Sequence, residues 1–465
     1  MRPTTLGLVC LALAAPSSHG AEWSVTPRLQ ESVLYDDNRR LTIRDHEGVW
    51  GNELRVGGEA KYATELTEAF FNPIFRQRRF SGEKELLDRD DLFLDAGFTH
   101  TGERTLLDVA VAIEYRGSIT NDLVTTARTD VNVDARDRSL SATWSYAFDA
   151  RNTLQLAGSY SDLDYERTRD TGLSNFRFST VSVAGIHRLT ARDQVSLTVF
   201  NSRFVQPRAT TVINGVTTTR EAETDTLGFQ LGYTRNFTET LLGSLSAGAR
   251  RSDSNSETEQ SFGVIRPFPV GGSRVTASNS QNRVDLTGDT IRVPAGSNFV
   301  TFVALDGADF TAPPGTLLLV PPGTGVLISD TDESSTGLAI NASIEQELET
   351  MDWELTFSRS LTPQGDGDLT ERDQLTLSLG RRFSERLRGN LDARYFQDSG
   401  LDGEGQDERE FLRVAAGVRW RLSRFWTVSS RYQYRRSERD SIGTAESNGL
   451  FVSLDYNLDK MAWSR

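Results

Sequence analysis

Near its end the chain reads Leu450-Phe451-Val452-Ser453-Leu454-Asp455-Tyr456-Asn457-Leu458-Asp459. Every second residue, from Leu450 through Val452, Leu454 and Tyr456 to Leu458, belongs to one apolar series, and the residues between are mostly polar. A period of two places the two series on opposite faces of a β-strand, one face against a greasy medium and the other against polar surroundings. The same phase recurs in Leu412, Val414, Ala416, Val418, Trp420 and Leu422, interleaved with Arg413, Ala415, Gly417, Arg419 and Arg421. Three arginines on one face of one strand are too many for the core of a sandwich. The pattern predicts an all-β chain, a transmembrane antiparallel up-and-down β-barrel with lipid outside and water inside.

Bulk composition agrees with that reading and excludes its main competitor. The chain has 465 residues, 37% hydrophobic and 25% charged, and its mean hydropathy is −0.42. A transmembrane helix needs about 20 mostly apolar residues, and beyond the N-terminus no such run exists. A barrel escapes this limit because only alternate residues of each strand face lipid. A soluble sandwich with buried Trp and Tyr is the other all-β option, but it seldom needs so many strands.

The first 20 residues read as a secretory signal peptide. Arg2 supplies the positive charge, Leu6 to Ala15 the apolar segment, and Ser18-His19-Gly20 a small-x-small cleavage site before Ala21. The only cysteine, Cys10, lies inside this leader, and the residue before it is not the small one a lipoprotein signal wants. The mature chain is therefore expected to lack thiols, which suits an oxidising compartment. The formal net charge is −14, and losing Arg2 makes it one unit more negative. Such an excess repels nucleic acid and argues against that partner.

Turn signals between the alternating runs set a rhythm of tight and long connections. Tight ones are expected near 64–67, 101–104, 149–152, 190–193, 236–239, 349–352, 383–386 and 423–425. Long ones are expected near 36–51, 80–90, 117–137, 166–175, 206–220, 252–334, 362–370, 398–408 and 436–445. This count gives about 18 strands spread over residues 21–465, an even number with short periplasmic turns and long extracellular loops, as single-chain bacterial barrels require. The first strand should begin almost directly after the cleavage site, leaving no room for a separate periplasmic domain. A barrel of this size encloses an aqueous lumen. The stretch 252–334 breaks the rhythm: it holds seven of the thirteen prolines, which cannot donate to a strand ladder. It is expected to form an extracellular or lumen-folded β-rich insertion.

The lipid-facing series includes Leu107, Val109, Val111, Ile113 and Tyr115, then Leu140, Ala142, Trp144 and Tyr146, then Leu227, Phe229, Leu231 and Tyr233, then Trp353, Leu355 and Phe357. Aromatics gather at the ends of these series, as interfacial girdles do. The opposite phase of the last strands carries Arg388, Arg394, Arg413, Arg419, Arg421, Arg431 and Arg435, an arginine wall facing the lumen. Asp392, Glu345 and Glu354 share that phase, as do Asp95, Asp108 and Glu114 on early strands. Opposed charges across a water-filled constriction sort solutes by charge, which points to anionic or sugar-like cargo. Arginines that merely pair with acids to stiffen the wall would give the same pattern.

Enzymatic chemistry finds little support. Beyond the leader only His46, His100 and His187 remain; the latter two fall near tight turns and read as interfacial residues. No Ser-His arrangement emerges, so no catalytic residue is assigned and no cofactor is implied. Asp366, Asp368, Asp402 and Glu404 sit among glycines but lack the full ligand loop of a calcium site, so no metal is assigned either.

The first strand and its exit, Trp23-Ser24-Val25-Thr26-Pro27-Arg28-Leu29 through Tyr35-Asp36-Asp37-Asn38, resemble the opening of a family of outer-membrane porins, the beta-barrel porin 2 type. Members accompany exopolysaccharide or exosortase (PEP-CTERM) gene systems. The resemblance implies a Gram-negative outer-membrane barrel associated with polysaccharide secretion, with polysaccharide and periplasmic export components as partners besides outer-membrane lipid and lipopolysaccharide. It brings no catalytic residues. The functional expectation is a non-enzymatic outer-membrane pore serving as an exopolysaccharide conduit; a general or nutrient porin and a surface-binding barrel presenting 252–334 are the alternatives. Such barrels commonly finish on an aromatic residue, a place that Tyr456 or Trp463 would take here.

Overall fold

The computed structural model describes residues 21–43, 46–82, 88–118, 132–166, 168–171, 173–213, 216–262, 273–277, 282–286, 300–304, 309–312, 325–364, 369–400, 408–439 and 443–464. The leader and the acidic stretches at 365–368 and 402–404 lie outside these residues. Eleven strands come first: β1 (Glu22–Asp36), β2 (Val49–Ala63), β3 (Thr67–Ser81), β4 (Arg89–Thr101), β5 (Thr105–Gly117), β6 (Asp134–Ala147), β7 (Asn152–Tyr165), β8 (Phe176–Arg188), β9 (Asp193–Ile213), β10 (Val216–Asn236) and β11 (Leu241–Phe262). One helical turn, α1 (Thr168–Thr171), interrupts the β7–β8 connection. Four short strands follow, β12 (Ser273–Ala277), β13 (Asn282–Leu286), β14 (Val300–Ala304) and β15 (Asp309–Ala312), and then the second run: β16 (Gly325–Glu347), β17 (Met351–Pro363), β18 (Leu369–Arg382), β19 (Leu387–Gly400), β20 (Arg409–Arg421), β21 (Trp426–Arg439), β22 (Gly443–Asn457) and β23 (Met461–Ser464).

Each long strand pairs antiparallel with its sequence neighbour, β11 with β16 across the insertion, and β1 pairs with both β2 and β22. The ladder therefore closes on itself as an 18-stranded antiparallel barrel. The seam runs from Arg28↔Asn457 to Asp36↔Gly449, and β23 extends it by setting Trp463 opposite Trp23. Closure leaves no strand edge unpaired in lipid, where each bare backbone group would cost several kcal/mol. Among the described residues no helix is long and apolar enough to cross a membrane.

The register turns the sequence phase into two walls. Leu227, Leu231, Val181, Leu197 and Leu338 are each at least 50% exposed, on the outer face, and their neighbours along the strands point into the lumen. Aromatic pairs mark the edges of the apolar band: Tyr35 with Trp50 at 5.0 Å at the long-loop end, Trp23 with Tyr62 at 4.8 Å and Trp426 with Tyr456 at 4.6 Å at the other. The tight connections fall where expected, and side-chain oxygens satisfy their backbone donors. Asp149 Oδ1 accepts from Arg151 N and Asn152 N, while Thr190, Ser384 and Ser423 do the same through their hydroxyls. The bonds from Asn152 and Arg151 hold the Asp149 carboxyl below its usual range.

The expected long loop at 206–220 is largely strand, as are the ends of the 252–334 and 436–445 stretches. The 206–220 stretch continues β9 to Ile213 and begins β10 at Val216; likewise β11 runs to Phe262 and β16 starts at Gly325, so the ends of 252–334 are ladder. The reason is visible on one face. The phase that carries Leu227, Phe229 and Leu231 in lipid carries Glu221, Glu223 and Asp225 above it, facing Asp253, Glu257 and Asp332. Outside the bilayer nothing selects apolar side chains, so the hydrophobic alternation vanishes although the hydrogen-bonded ladder and its Thr-rich sequence persist. Beyond these extensions β12, β14 and β15 form a separate three-stranded sheet and β13 pairs with β16.

The two-wall geometry gives a paired test. Replacing Leu231 by Arg should destabilise the barrel by about 2–4 kcal/mol in liposome unfolding titrations, whereas Arg at the adjacent lumen-facing Gln230 should leave the midpoint almost unchanged; equal effects would reject the assigned faces.

Candidate functional site: an arginine-lined lumen beneath a bridged mouth

Closing the ladder puts β1–β3 beside β19–β22, and that seam creates the site. A cavity of about 420 Å³ is lined by Arg413, Arg419, Arg431 and Arg435 from the expected wall, and by Arg39, Arg55, Arg76 and Arg78 from the other side of the seam; among the described residues Glu53 is the only acid on it. The second group is absent from the sequence-predicted wall, which takes its arginines from the last strands and only acids from the early ones. Arg55, Arg76 and Arg78 obey the same alternation on β2 and β3. Their relevance appears only once β1 is known to neighbour β22.

Arginines stand directly opposite one another across the strands. Arg394 faces Arg413, which in turn faces Arg435, forming one row over β19, β20 and β21, and Arg388 faces Arg419 one step nearer the tight turns. Pairing with acids accounts for some of them. Arg388 donates to Asp352 at 2.9 Å, and Arg435 donates to Asp36 at 2.7 Å. Arg421 donates to the Glu385 carbonyl near a tight turn. Among the described residues no carboxylate lies within ion-pair distance of Arg394, Arg413, Arg419 or Arg431. Arg413 reaches Gln433 Oε1 at 3.2 Å, and Arg431 lies over the Phe451 ring at 4.8 Å.

Of the expected acids, Glu345 and Glu354 are placed apart from this cluster, whereas Asp392 lies among its arginines, close enough to act electrostatically on Arg413 and Arg431. Glu345 and Glu354 stand opposite each other on β16 and β17, both exposed near the tight turns. Asp392 accepts from Asn390 Nδ2 at 2.9 Å and shares the phase of Arg388 and Arg394. His100 meets Thr67 Oγ1 at 2.9 Å and His187 meets Asn152 Oδ1 at 2.8 Å, both beside tight turns. Among the described residues no group of three or more His, Cys, Asp or Glu is arranged to hold a metal.

Toward the long-loop end the lumen is filled by buried charge held in clusters. Asp91, 1% exposed, is shared by Arg76 and Arg78 at 2.8 Å each. Asp398, 2% exposed, receives Arg372 Nε at 2.6 Å and has Arg409 at 3.8 Å. Asp36 holds Arg435 and Ser447 Oγ. Each is a carboxylate that would be intolerable alone and is stable only with its cations in place.

Two segments enter the mouth. After β1 the chain folds inward: Asn38 Nδ2 donates to the carbonyls of Thr42 and Glu446 at 2.8 and 2.9 Å, and Leu41, with a left-handed φ of 50°, packs against Phe396, Phe411 and Ala445. Asp37 accepts from the backbone and side-chain nitrogens of Asn448. The Tyr35-Asp36-Asp37-Asn38 motif is thus the anchor that turns this segment into the lumen.

The second segment is the tip of the β17–β18 hairpin. The β16–β17 ladder ends at Ile340↔Arg359, while β17 and β18 stay paired up to Pro363↔Leu369. Leu361 and Leu369 continue the phase that meets lipid lower down, yet Leu369 is buried in one cluster with lumen-side Leu163, Phe176 and Phe204, and Leu361 packs against it. Glu371, on the same phase, pairs with the lumen-side Arg250 of β11. The other face of the tip carries Thr370 and Arg372, also buried, against Asp398. A strand end buried on both faces in a barrel lies inside the cross-section. The tip therefore bends over the lumen and bridges the mouth.

No family model matches the chain and no curated protein matches it. Among solved structures it is similar to the siderophore receptor PirA from Acinetobacter baumannii, at 7% identity over 96% of this chain and 81% of that one, TM-score 0.40. It is also similar to Pseudomonas aeruginosa OpdL, at 12% identity over 95% and 99%, TM-score 0.38, and to Pseudomonas aeruginosa OccK2 (OpdF) solved with glucuronate, at 10% over 94% and 98%, TM-score 0.40. These figures are too low to transfer any property of those barrels to this chain.

The charge clusters predict a sharp positional contrast. Asp398→Asn, which strips the acceptor shared by Arg372 and Arg409, should cost about 3–5 kcal/mol in thermal or denaturant unfolding, whereas Asp352→Asn, at the exposed partner of Arg388, should shift the transition little.

Proposed function

We propose that this chain is a non-enzymatic outer-membrane pore for anionic cargo, and that the cargo is an acidic exopolysaccharide leaving the cell. The closed ladder with an apolar outer wall supports the membrane assignment, since a surface of exposed Leu, Val and Phe completing a full ring is soluble only in lipid. The long-loop end is then extracellular and the tight-turn end periplasmic.

One observation carries the choice of cargo: the run of arginines left without carboxylates in an acidic protein. Like charges placed directly opposite each other across a ladder are destabilising, and the chain has an excess of acids with which to neutralise them. Arg394, Arg413, Arg419 and Arg431 instead descend from the bridged mouth toward the periplasmic end with no carboxylate in ion-pair contact among the described residues. Guanidinium groups bind carboxylates and sulfates in bidentate fashion and, spaced along a strand, offer successive sites to a chain of repeated charges.

A bridged mouth favours a conduit over a general porin, because diffusive uptake needs an aperture open at rest. The first-strand resemblance to barrels that accompany exopolysaccharide systems favours secretion as the direction and periplasmic export components as partners.

In planar bilayers the purified barrel should be anion-selective, and replacing Arg413, Arg419 and Arg431 together by Gln should lower the anion-to-cation permeability ratio several-fold, most strongly at low salt, where screening is weak. An unaltered ratio rejects this reading.

A further inference from the structure

We propose that the arginine cavity is a saturable binding site for a carboxylate-bearing saccharide, and that its outer end is occupied by the chain's own carboxylate, Asp36, which cargo displaces. The inference rests on the anionic-cargo reading above and adds to it a discrete site and a competitor built into the wall.

Three features distinguish a site from a merely basic passage. First, two of the lining guanidiniums carry buried donors with no acceptor: Arg78 Nε and Arg435 Nε, on side chains only 3% and 5% exposed. Buried N–H groups are nearly always satisfied, so two unpaired donors on side chains that line one cavity leave its wall with hydrogen-bonding capacity that the described residues do not use. Secondly, the lining has the mixture that sugars need. Phe451, beneath Arg431 and with Arg39 at 6.0 Å, offers an apolar ring for the face of a pyranose, and Gln30, Asn390 and Gln433 offer amide groups to hydroxyls. Thirdly, the volume of about 420 Å³ lies within the range of roughly 300–1,000 Å³ typical of small-molecule sites.

Asp36 shows what the outer end accepts. It is fully buried, Arg435 Nη2 donates to its Oδ2 at 2.7 Å, Arg39 lies 3.6 Å away, and Ser447 Oγ donates to Oδ1 at 2.7 Å. Two guanidiniums and a hydroxyl around one carboxylate are the contacts a uronate would make. Arg435 also belongs to the Arg394–Arg413–Arg435 row, so a carboxylate moving outward along the row reaches a cation already held by Asp36. Displacing Asp36 frees the base of the segment that seats Leu41 in the mouth.

The test is calorimetric titration of the full barrel in detergent at low salt, with trigalacturonate, neutral maltotriose and inorganic sulfate as probes. Saturable binding of trigalacturonate, no binding of maltotriose, and much weaker binding of sulfate are expected. Arg431→Gln should weaken trigalacturonate at least tenfold. Asp36→Asn, which frees Arg435, should tighten it several-fold and raise single-channel conductance. Ser447→Ala is the milder variant should Asp36→Asn fail to fold, as judged by loss of heat-modifiable gel mobility, and should tighten binding in the same direction. Equal affinity for sulfate and trigalacturonate overturns the saccharide site, and unchanged affinity in the Asp36 or Ser447 variants overturns the displacement. Either result alongside retained anion selectivity in bilayers leaves the pore reading standing, whereas loss of that selectivity in the unaltered barrel removes both.

Discussion

A bilayer core offers no water to a backbone N–H or C=O, and everything in this structure follows from how the chain meets that constraint. The only β solution is a ladder without edges, so β1 must find β22 and each of the 18 long strands must hold register with two neighbours. Once the ring is closed, the pleat assigns alternate side chains to lipid and lumen with no freedom left. The apolar series is fixed by the solvent outside, and the inner series is released from that demand to carry charge.

That released series is where the protein concentrates its arginines. Some are structural: Arg372 and Arg409 on Asp398, and Arg76 and Arg78 on Asp91, are buried clusters in which neither sign is tolerable without the other. Others have no carboxylate in ion-pair contact among the described residues: Arg394 and Arg413 stand opposite each other, Arg419 stands opposite Arg388, and Arg431 stands opposite Gly417 and Phe451. Ion-paired charge fills the mouth, where Leu41 and the β17–β18 tip pack against the wall, and the cavity below combines the ion-paired Arg76, Arg78 and Arg435 with Arg413, Arg419 and Arg431, which have no carboxylate in ion-pair contact among the described residues. One residue type is thus used in two environments, ion-paired within buried clusters and free of ion-pair contact along the open wall.

The inward segments also explain why the opening motif and the last strands belong together. The side chains of Asp36, Asp37 and Asn38 reach beyond β1: besides the local partners Arg39 and Thr42, they meet Arg435, Ser447, Asn448 and Glu446, each more than 390 residues away. The seam that closes the barrel is the same contact that turns the first loop into the lumen, so assembly of the ring and partial occlusion of its mouth are one event.

Sequence by itself determined the strand type, the two faces and the tight turns, because lipid imposes a period of two on every spanning segment and the turns use side chains with local hydrogen-bonding roles, as Asp149 and Ser423 do. It also placed the arginines of β19–β21 on the wet face. It lost the strands above the bilayer, where Glu221 and Glu223 replace Leu227 and the environment stops writing a pattern into the residues. The ring decided the rest: Arg55, Arg76 and Arg78 join Arg413 and Arg431 only because β1 pairs with β22, and Leu369 becomes a lumen residue only because its hairpin leaves β16 and bends inward. Both are contacts between residues hundreds of positions apart, which a periodicity confined to neighbouring residues cannot encode.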